Sequence, residues 1–230
     1  MRIKGGGVST NNPFGPNWGT KGAEKTSSVG QQVQDNLFGK PKPKVLDQDD
    51  MEVSRQMGLL HTYRKRIARI AGDDEDDYSL LLSAGTIAMI DQQGVIYVGK
   101  QFLLNHSGNT DLLVGVLAHE IGHRPKRWSQ YRDQRPLNKE EMNQLCRTEE
   151  TRADYFAGVA LAELGLQPAA VCGFLKAVQI HPHPEYFSAD LRVQVIAEGF
   201  ESGRSKSETR KKFFPEFARF HGAKGDLGSG

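Results

Sequence analysis

The apolar and polar positions divide the chain into a polar N-terminal stretch, a largely helical body and a short polar end. From Asp49 onward, Val53, Met57, Leu60, Ile67 and Ile70 recur at helical spacing, with Asp49 or Asp50 as the cap and Gly72 as the stop. Leu80 to Asp91 is an apolar, partly β-branched run, followed by Gln92-Gln93-Gly94 and then Val95-Ile96-Tyr97-Val98. Two extended runs around a short glycine-containing connection predict a β-hairpin. Thr110 or Asp111 caps the next helix, which buries Leu112, Leu113, Val116 and Leu117 and cannot run far past Pro125. Asn138 opens a long helix that Gly165 closes, and Pro168 suits the first turn of another reaching about Val178. Ser188 caps a helix through Ile196, and a last short helix begins at Ser207, limited by Pro215. The pattern predicts an α+β, mostly helical domain over residues 49–222 with a small antiparallel β-hairpin or sheet.

Residues 1–48 read differently. They are rich in Gly, Asn, Ser, Thr, Pro and Lys, and a segment with so few apolar residues buries too little surface to offset its ordering entropy. The expectation is a disordered tail ending in a stiff, extended linker, Lys40-Pro41-Lys42-Pro43-Lys44. Phe14 and Trp18 stand out among polar neighbours, which leaves open a tether, an inhibitory pro-segment, or a signal that binds a partner or an export machine. Residues 223–230 read as a flexible C-terminal tail.

Composition narrows the classes of partner. Thirty Lys and Arg against 28 Asp and Glu leave a net charge of +2, which argues against a nucleic-acid partner. The acidic run Asp73-Asp74-Glu75-Asp76-Asp77 reads as an exposed loop, without the spaced oxygen ligands of a calcium site. Two cysteines, Cys146 and Cys172, read as buried free thiols rather than a disulfide framework. A mean hydropathy of −0.54, and apolar runs well short of the ~18 residues a membrane span needs, predict a soluble chain. With no apolar segment near Met1, cytoplasmic residence is the default, and export independent of a hydrophobic signal stays open.

The chemistry concentrates at His119-Glu120-Ile121-Gly122-His123, an H-E-x-x-H pattern on the apolar helix. Histidines four apart lie one above the other on one helical face, so both can bind one metal ion, with the intervening glutamate near the reacting water. Downstream, Glu150 and Asp154 are spaced by one turn on the long helix. Two histidines and a carboxylate are a common ligand set for catalytic zinc, so Glu150 is the candidate third ligand. Asp154 is the candidate acceptor for the free N–H of a ligand histidine. The competing reading makes Glu149, Glu150 and Asp154 a solvated helix face. On the metal reading, one Zn²⁺ per chain is expected, Glu120 is the general base, and the substrate is a peptide or protein. The oxyanion of peptide hydrolysis needs a further donor, for which His181, His183, Tyr155 and Tyr186 are candidates and His183 is favoured. His61, His106 and His221 read as ordinary polar residues.

The order of these motifs resembles the HtpX-like and CAAX prenyl protease-like zinc peptidases over about Asp49 to Glu201. The residues that carry the likeness are HEIGH, Glu150-x-x-Ala153-Asp154, and a His-Pro pair followed by a helix bearing Arg192. The resemblance implies a zincin-like (gluzincin) catalytic domain in which His119, His123 and Glu150 bind zinc, Glu120 acts on the water and Asp154 supports a histidine. It also implies that Val95, Ile96 and Tyr97 form an edge strand onto which substrate adds. The chain is similar as well to soluble regulatory peptidases related to phage-repressor-cleaving enzymes. An exported protease effector or toxin, and a non-catalytic binding module stabilised by its metal, are the remaining alternatives.

Overall fold

In the computed structural model, which describes residues 28–130, 137–179, 181 and 183–213, the polar N-terminal stretch is partly ordered. Helix α1 (Ser28–Phe38) lies against the domain, and strand β1 (Lys44–Val45) joins its sheet. This corrects the expectation of disorder for the part from Ser28 onward. Phe38, 3% exposed, is the anchor, and Gln34 Nε2 donates to the Pro125 carbonyl at 3.3 Å. The Lys-Pro linker is pinned as well, with Lys42 Nζ 2.7 Å from the buried carboxylate of Asp91. Few apolar residues suffice because Phe38 is buried in the core of the domain, with Leu37 and Leu46 packed against it. Phe14, Trp18, His221 and the 223–230 tail lie outside the described residues.

Helix α2 (Ser54–Ala71) buries the predicted stripe of Met57, Leu60 and Ile67 and ends at Gly72, whose φ of 71° suits glycine. It starts later than Asp49 or Asp50 would place it. Asp50 instead accepts from Glu52 N at 3.0 Å and pairs with Lys100 at 2.7 Å. Three further strands follow: β2 (Ser79–Ala84), β3 (Ala88–Ile90) and β4 (Val95–Gly99). The order across the sheet is β1-β2-β4-β3, with β4 parallel to β2 and antiparallel to β3 and β1. The hairpin is therefore real, but the sheet is mixed, not antiparallel. The long apolar run breaks at Gly85 (φ 79°), and only its second part turns back onto β4.

The remaining helices are α3 (Lys100–Asn105), α4 (Thr110–Gly122), α5 (Lys139–Leu164), α6 (Ala169–Val178) and α7 (Ala189–Phe213). Asn138 and Glu141 close a reciprocal capping box at the start of α5, and Gly165 (φ 75°) ends it, as predicted. The last region is one continuous helix, where the sequence suggested two. What allows it is backbone contact with α5: a β-carbon on Gly199 would sit 2.1 Å from the Tyr155 carbonyl oxygen. Buried Ile196 reinforces the same seam, so the middle of α7 has a partner that local propensity does not reveal. The chain is thus mostly helical α+β, with one apolar core in which Leu82, Ile96, Leu117, Ile121 and Leu161 are fully buried. No helix among the described residues is long and apolar enough to cross a membrane.

The α5–α7 contact yields a direct expectation. Gly199→Ala should cost about 1–3 kcal/mol, because the overlap is with backbone and neither helix can move without opening the core. Gly173→Ala on α6, where nothing lies within 4 Å, should be neutral or gain about 0.5–1 kcal/mol from helix propensity. Urea unfolding of both variants checks the pair, and equal midpoints would remove the close-packed seam.

Candidate metal centre

Helix α4 carries the H-E-x-x-H segment into the core. Asn109, one residue earlier than expected, caps it by accepting from Leu112 N at 3.1 Å. Leu112, Leu113, Val114, Leu117, Ala118 and Ile121 are all buried, so the helix is wrapped on nearly every side. It ends at Gly122, and Arg124 turns the chain away with a φ of 48°, which is costly for a non-glycine residue. Asp73 compensates: it takes Arg124 Nε at 2.7 Å, also pairs with the Arg124 Nη2, and accepts from Tyr78 Oη at 2.7 Å. Part of the acidic run is therefore an internal anchor for the end of α4. Arg69 and Lys126 pair with Glu75 and Asp77 in the rest of it.

Helices α4 and α5 cross at Gly122, where a β-carbon would lie 3.0 Å from Ala153 Cα. This close approach brings Glu150 over the two histidines. His119 Nε2 is 3.3 Å from Glu150 Oε2, and His123 Nε2 is 3.8 Å from Glu150 Oε1. One ligand atom from each of the three residues lies within 4.8 Å of the others. Glu149, Glu150 and Asp154 are 3%, 6% and 1% exposed, so the solvated-face reading fails.

The donor set fits a divalent ion. Glu150 Oε2 is buried and accepts no hydrogen bond, with His119 Nε2 at 3.3 Å and Arg192 Nη2 at 3.6 Å as its polar neighbours. A buried carboxylate oxygen without a donor is costly, and a cation shared with two imidazoles would remove that cost. Nitrogen and oxygen ligands together suit zinc.

The surrounding charges are layered. Asp154 Oδ1 is 2.9 Å from His119 Nδ1, placing the carboxylate where the free ring N–H needs an acceptor. Arg192 then grips Asp154 with two bonds, Nε to Oδ2 at 2.7 Å and Nη2 to Oδ1 at 2.9 Å. Burial alone would lower the His119 pKa, but the neighbouring carboxylates of Asp154 and Glu150 raise it to about 10. Burial dominates at His123 and lowers its pKa to about 3. At Glu150 burial pushes upward, yet His123, His119 and Arg192 outweigh it and hold the pKa at about 2. Glu120 differs from its neighbour. It is 9% exposed, and burial raises its pKa to about 7.

A cavity of about 440 Å³ opens onto these groups. His119, Glu120, His123, Glu150 and Asp154 meet it from α4 and α5; Phe38 of α1 and the α6 residues Val171 and Phe174 add apolar wall. The sheet contributes through β3, with Ala88, Met89 and Ile90, and not through β4. Val95, Ile96 and Tyr97 are therefore not an edge. β4 pairs on both sides, Ile96 opposing Leu80 and Ile90, and Tyr97 is 4% exposed with its hydroxyl on Asp91 at 3.2 Å. That expectation came with the resemblance, and the parallel pairing of β2 with β4 overturns it by placing β4 inside the sheet. His181, His183 and Tyr186 reach the cavity, whereas Tyr155 is not among its lining residues. His183 is exposed, its Nδ1 accepting from Glu185 N at 3.2 Å, and its ring stands 5.0 Å from that of Tyr186.

Sequence reasoning missed three contributors. Phe38 packs edge-on against the His123 ring at 5.9 Å, from a segment expected to be unstructured. Arg192 was noticed only as part of the resemblance, and its partner lies on another helix. Glu149 had no signal beyond its position next to Glu150. In comparisons with known proteins, no family, curated protein or solved structure matches the chain.

The Glu120 environment has a consequence for stability. A carboxyl whose folded pKa stands above its unfolded value of 4.5 makes folding progressively less favourable as pH rises from 4.5 to about 7. Glu120→Gln removes that penalty. In chelator, the variant should gain on the wild type over this window by about 3 kcal/mol and hold the gain above pH 7. Urea unfolding at pH 4.5, 6 and 8 measures it; a pH-independent difference would contradict the burial argument.

Proposed function

We propose that this chain is a zinc-dependent peptidase in which His119, His123 and Glu150 hold the metal and Glu120 is the general base. One observation carries the reading: three ligand atoms lie within 4.8 Å of one another, beside a buried carboxyl whose pKa stands near 7, at the wall of a cavity. A gluzincin-type arrangement of the domain is part of the same reading. The ion, when bound, supplies Lewis acidity that polarises a carbonyl and makes water more acidic.

The chain's own groups do the rest. Glu120, buried at the cavity wall beside the candidate ligands, takes the proton of the attacking water and passes it to the departing amine. Asp154 holds the N–H of His119, fixing the tautomer that leaves Nε2 free to ligate. Arg192 keeps Asp154 ionised and in place. The outer strand β3, not β4, is the strand onto which an extended peptide adds at the cavity wall. His183 and Tyr186, both at the cavity, supply a hydrogen bond to the developing oxyanion.

Elemental analysis should find one zinc per wild-type chain and markedly less in Glu150→Ala, because one of three ligands is gone. A peptide-library digest should show chelator-sensitive cleavage. Glu120→Gln should keep its zinc and lose turnover by about a hundred- to ten-thousand-fold. Full zinc content in Glu150→Ala would reject that ligand. A zinc-loaded wild type that leaves every peptide intact would make the chain a metal-stabilised binding module instead.

A further inference from the structure

The structure assigns Glu149 as the positioning residue for His123, the counterpart of what Asp154 does for His119. The inference rests on the metal reading above and adds a residue to it. His123 turns Nε2 toward Glu150, which leaves Nδ1 pointing away from the ligand cluster. That Nδ1 is buried and has no hydrogen-bond partner. A histidine that ligates through Nε2 carries its proton on Nδ1, and a buried N–H needs an acceptor. The carboxylate facing it is Glu149, with Oε1 at 4.0 Å.

Nothing about Glu149 is explained by solvent. It is 3% exposed, and burial raises its pKa against the opposing pull of Arg152 and Trp128. Retaining a buried carboxylate one residue before a ligand is expensive unless it is paired and used. Arg152 holds it, with Nη2 donating to Oε1 at 2.5 Å, and the same Nη2 donates to the His123 carbonyl at 3.1 Å. Glu149 and the His123 backbone are therefore tied to one guanidinium. Phe38 and Trp128 (4% exposed) close the surroundings, and exclusion of water strengthens any hydrogen bond formed there. A ring or carboxylate adjustment of about 1 Å converts the 4.0 Å approach into a hydrogen bond. Both histidines would then be backed by a carboxylate of α5, from the two sides of Glu150.

The test uses the full chain. Zinc affinity of wild type, Asp154→Asn and Glu149→Gln is measured by competition with a chromophoric chelator, alongside the thermal midpoint of each metal-free form. Glu149→Gln should bind zinc about 10- to 100-fold more weakly, as should Asp154→Asn. In imidazole ¹⁵N–¹H spectra of the zinc-loaded protein, the His123 Nδ1–H should be far downfield and slow to exchange. It should move upfield in Glu149→Gln while the His119 Nδ1–H stays put. A merely structural Glu149–Arg152 pair would change the metal-free midpoint and leave that resonance alone. Affinity within twofold of wild type and an unmoved His123 N–H overturn the assignment, with the metal reading intact. If Glu149→Gln does not fold, the wild-type spectrum decides: a fast-exchanging His123 N–H overturns it. A wild type that binds no zinc overturns both readings.

Discussion

The relay from Arg192 through Asp154 to His119 is the interaction on which the site depends. Asp154 is 1% exposed and Arg192 8%, so neither charge is stable there without the other. Their two hydrogen bonds span α5 and α7, and the carboxylate ends against the His119 ring. The relay orients a candidate ligand and joins two long helices at the same point. Loss of one partner would leave an uncompensated charge in the core.

Backbone packing makes this arrangement attainable. Residues without a β-carbon sit where helices touch: Gly122 lets α4 approach α5, and Gly199 lets α7 approach α5. The first contact sets the distance from the histidines to Glu150, and the second sets that from Arg192 to Asp154. The same helix, α5, carries Glu149, Glu150 and Asp154, the carboxylates that approach the two histidines. Its sequence spacing places Glu149, Glu150 and Asp154 around one end of the cluster, each with its own partner.

The N-terminal stretch and the sheet show where local patterning loses its grip. A segment dominated by Gly, Lys and Pro is disfavoured for folding alone, yet Phe38 buries its ring beside His123 and Lys42 reaches Asp91. Its order is supplied by the body it covers. In the sheet, alternation located the strands but could not rank them from edge to centre. The parallel pairing of β2 with β4 crosses the intervening β3, and that pairing turns β4 into an interior strand.

Sequence by itself determined the helical character, the caps at Asn138 and Gly165, the stop at Gly72, and the one-turn spacing that sets His119 with His123, and Glu150 with Asp154, on one face of their own helices. These follow from spacing along one helix or from the chemistry of single residues, which neighbours in the chain suffice to define. Tertiary structure alone decided that Glu149 is buried, that Arg192 clamps Asp154, that Phe38 lines the cavity, and that β3 is the outer strand beside that cavity. Each of these depends on contact between segments far apart in the chain. Periodicity reports which face of an element is apolar, and leaves unsaid which partner that face will meet.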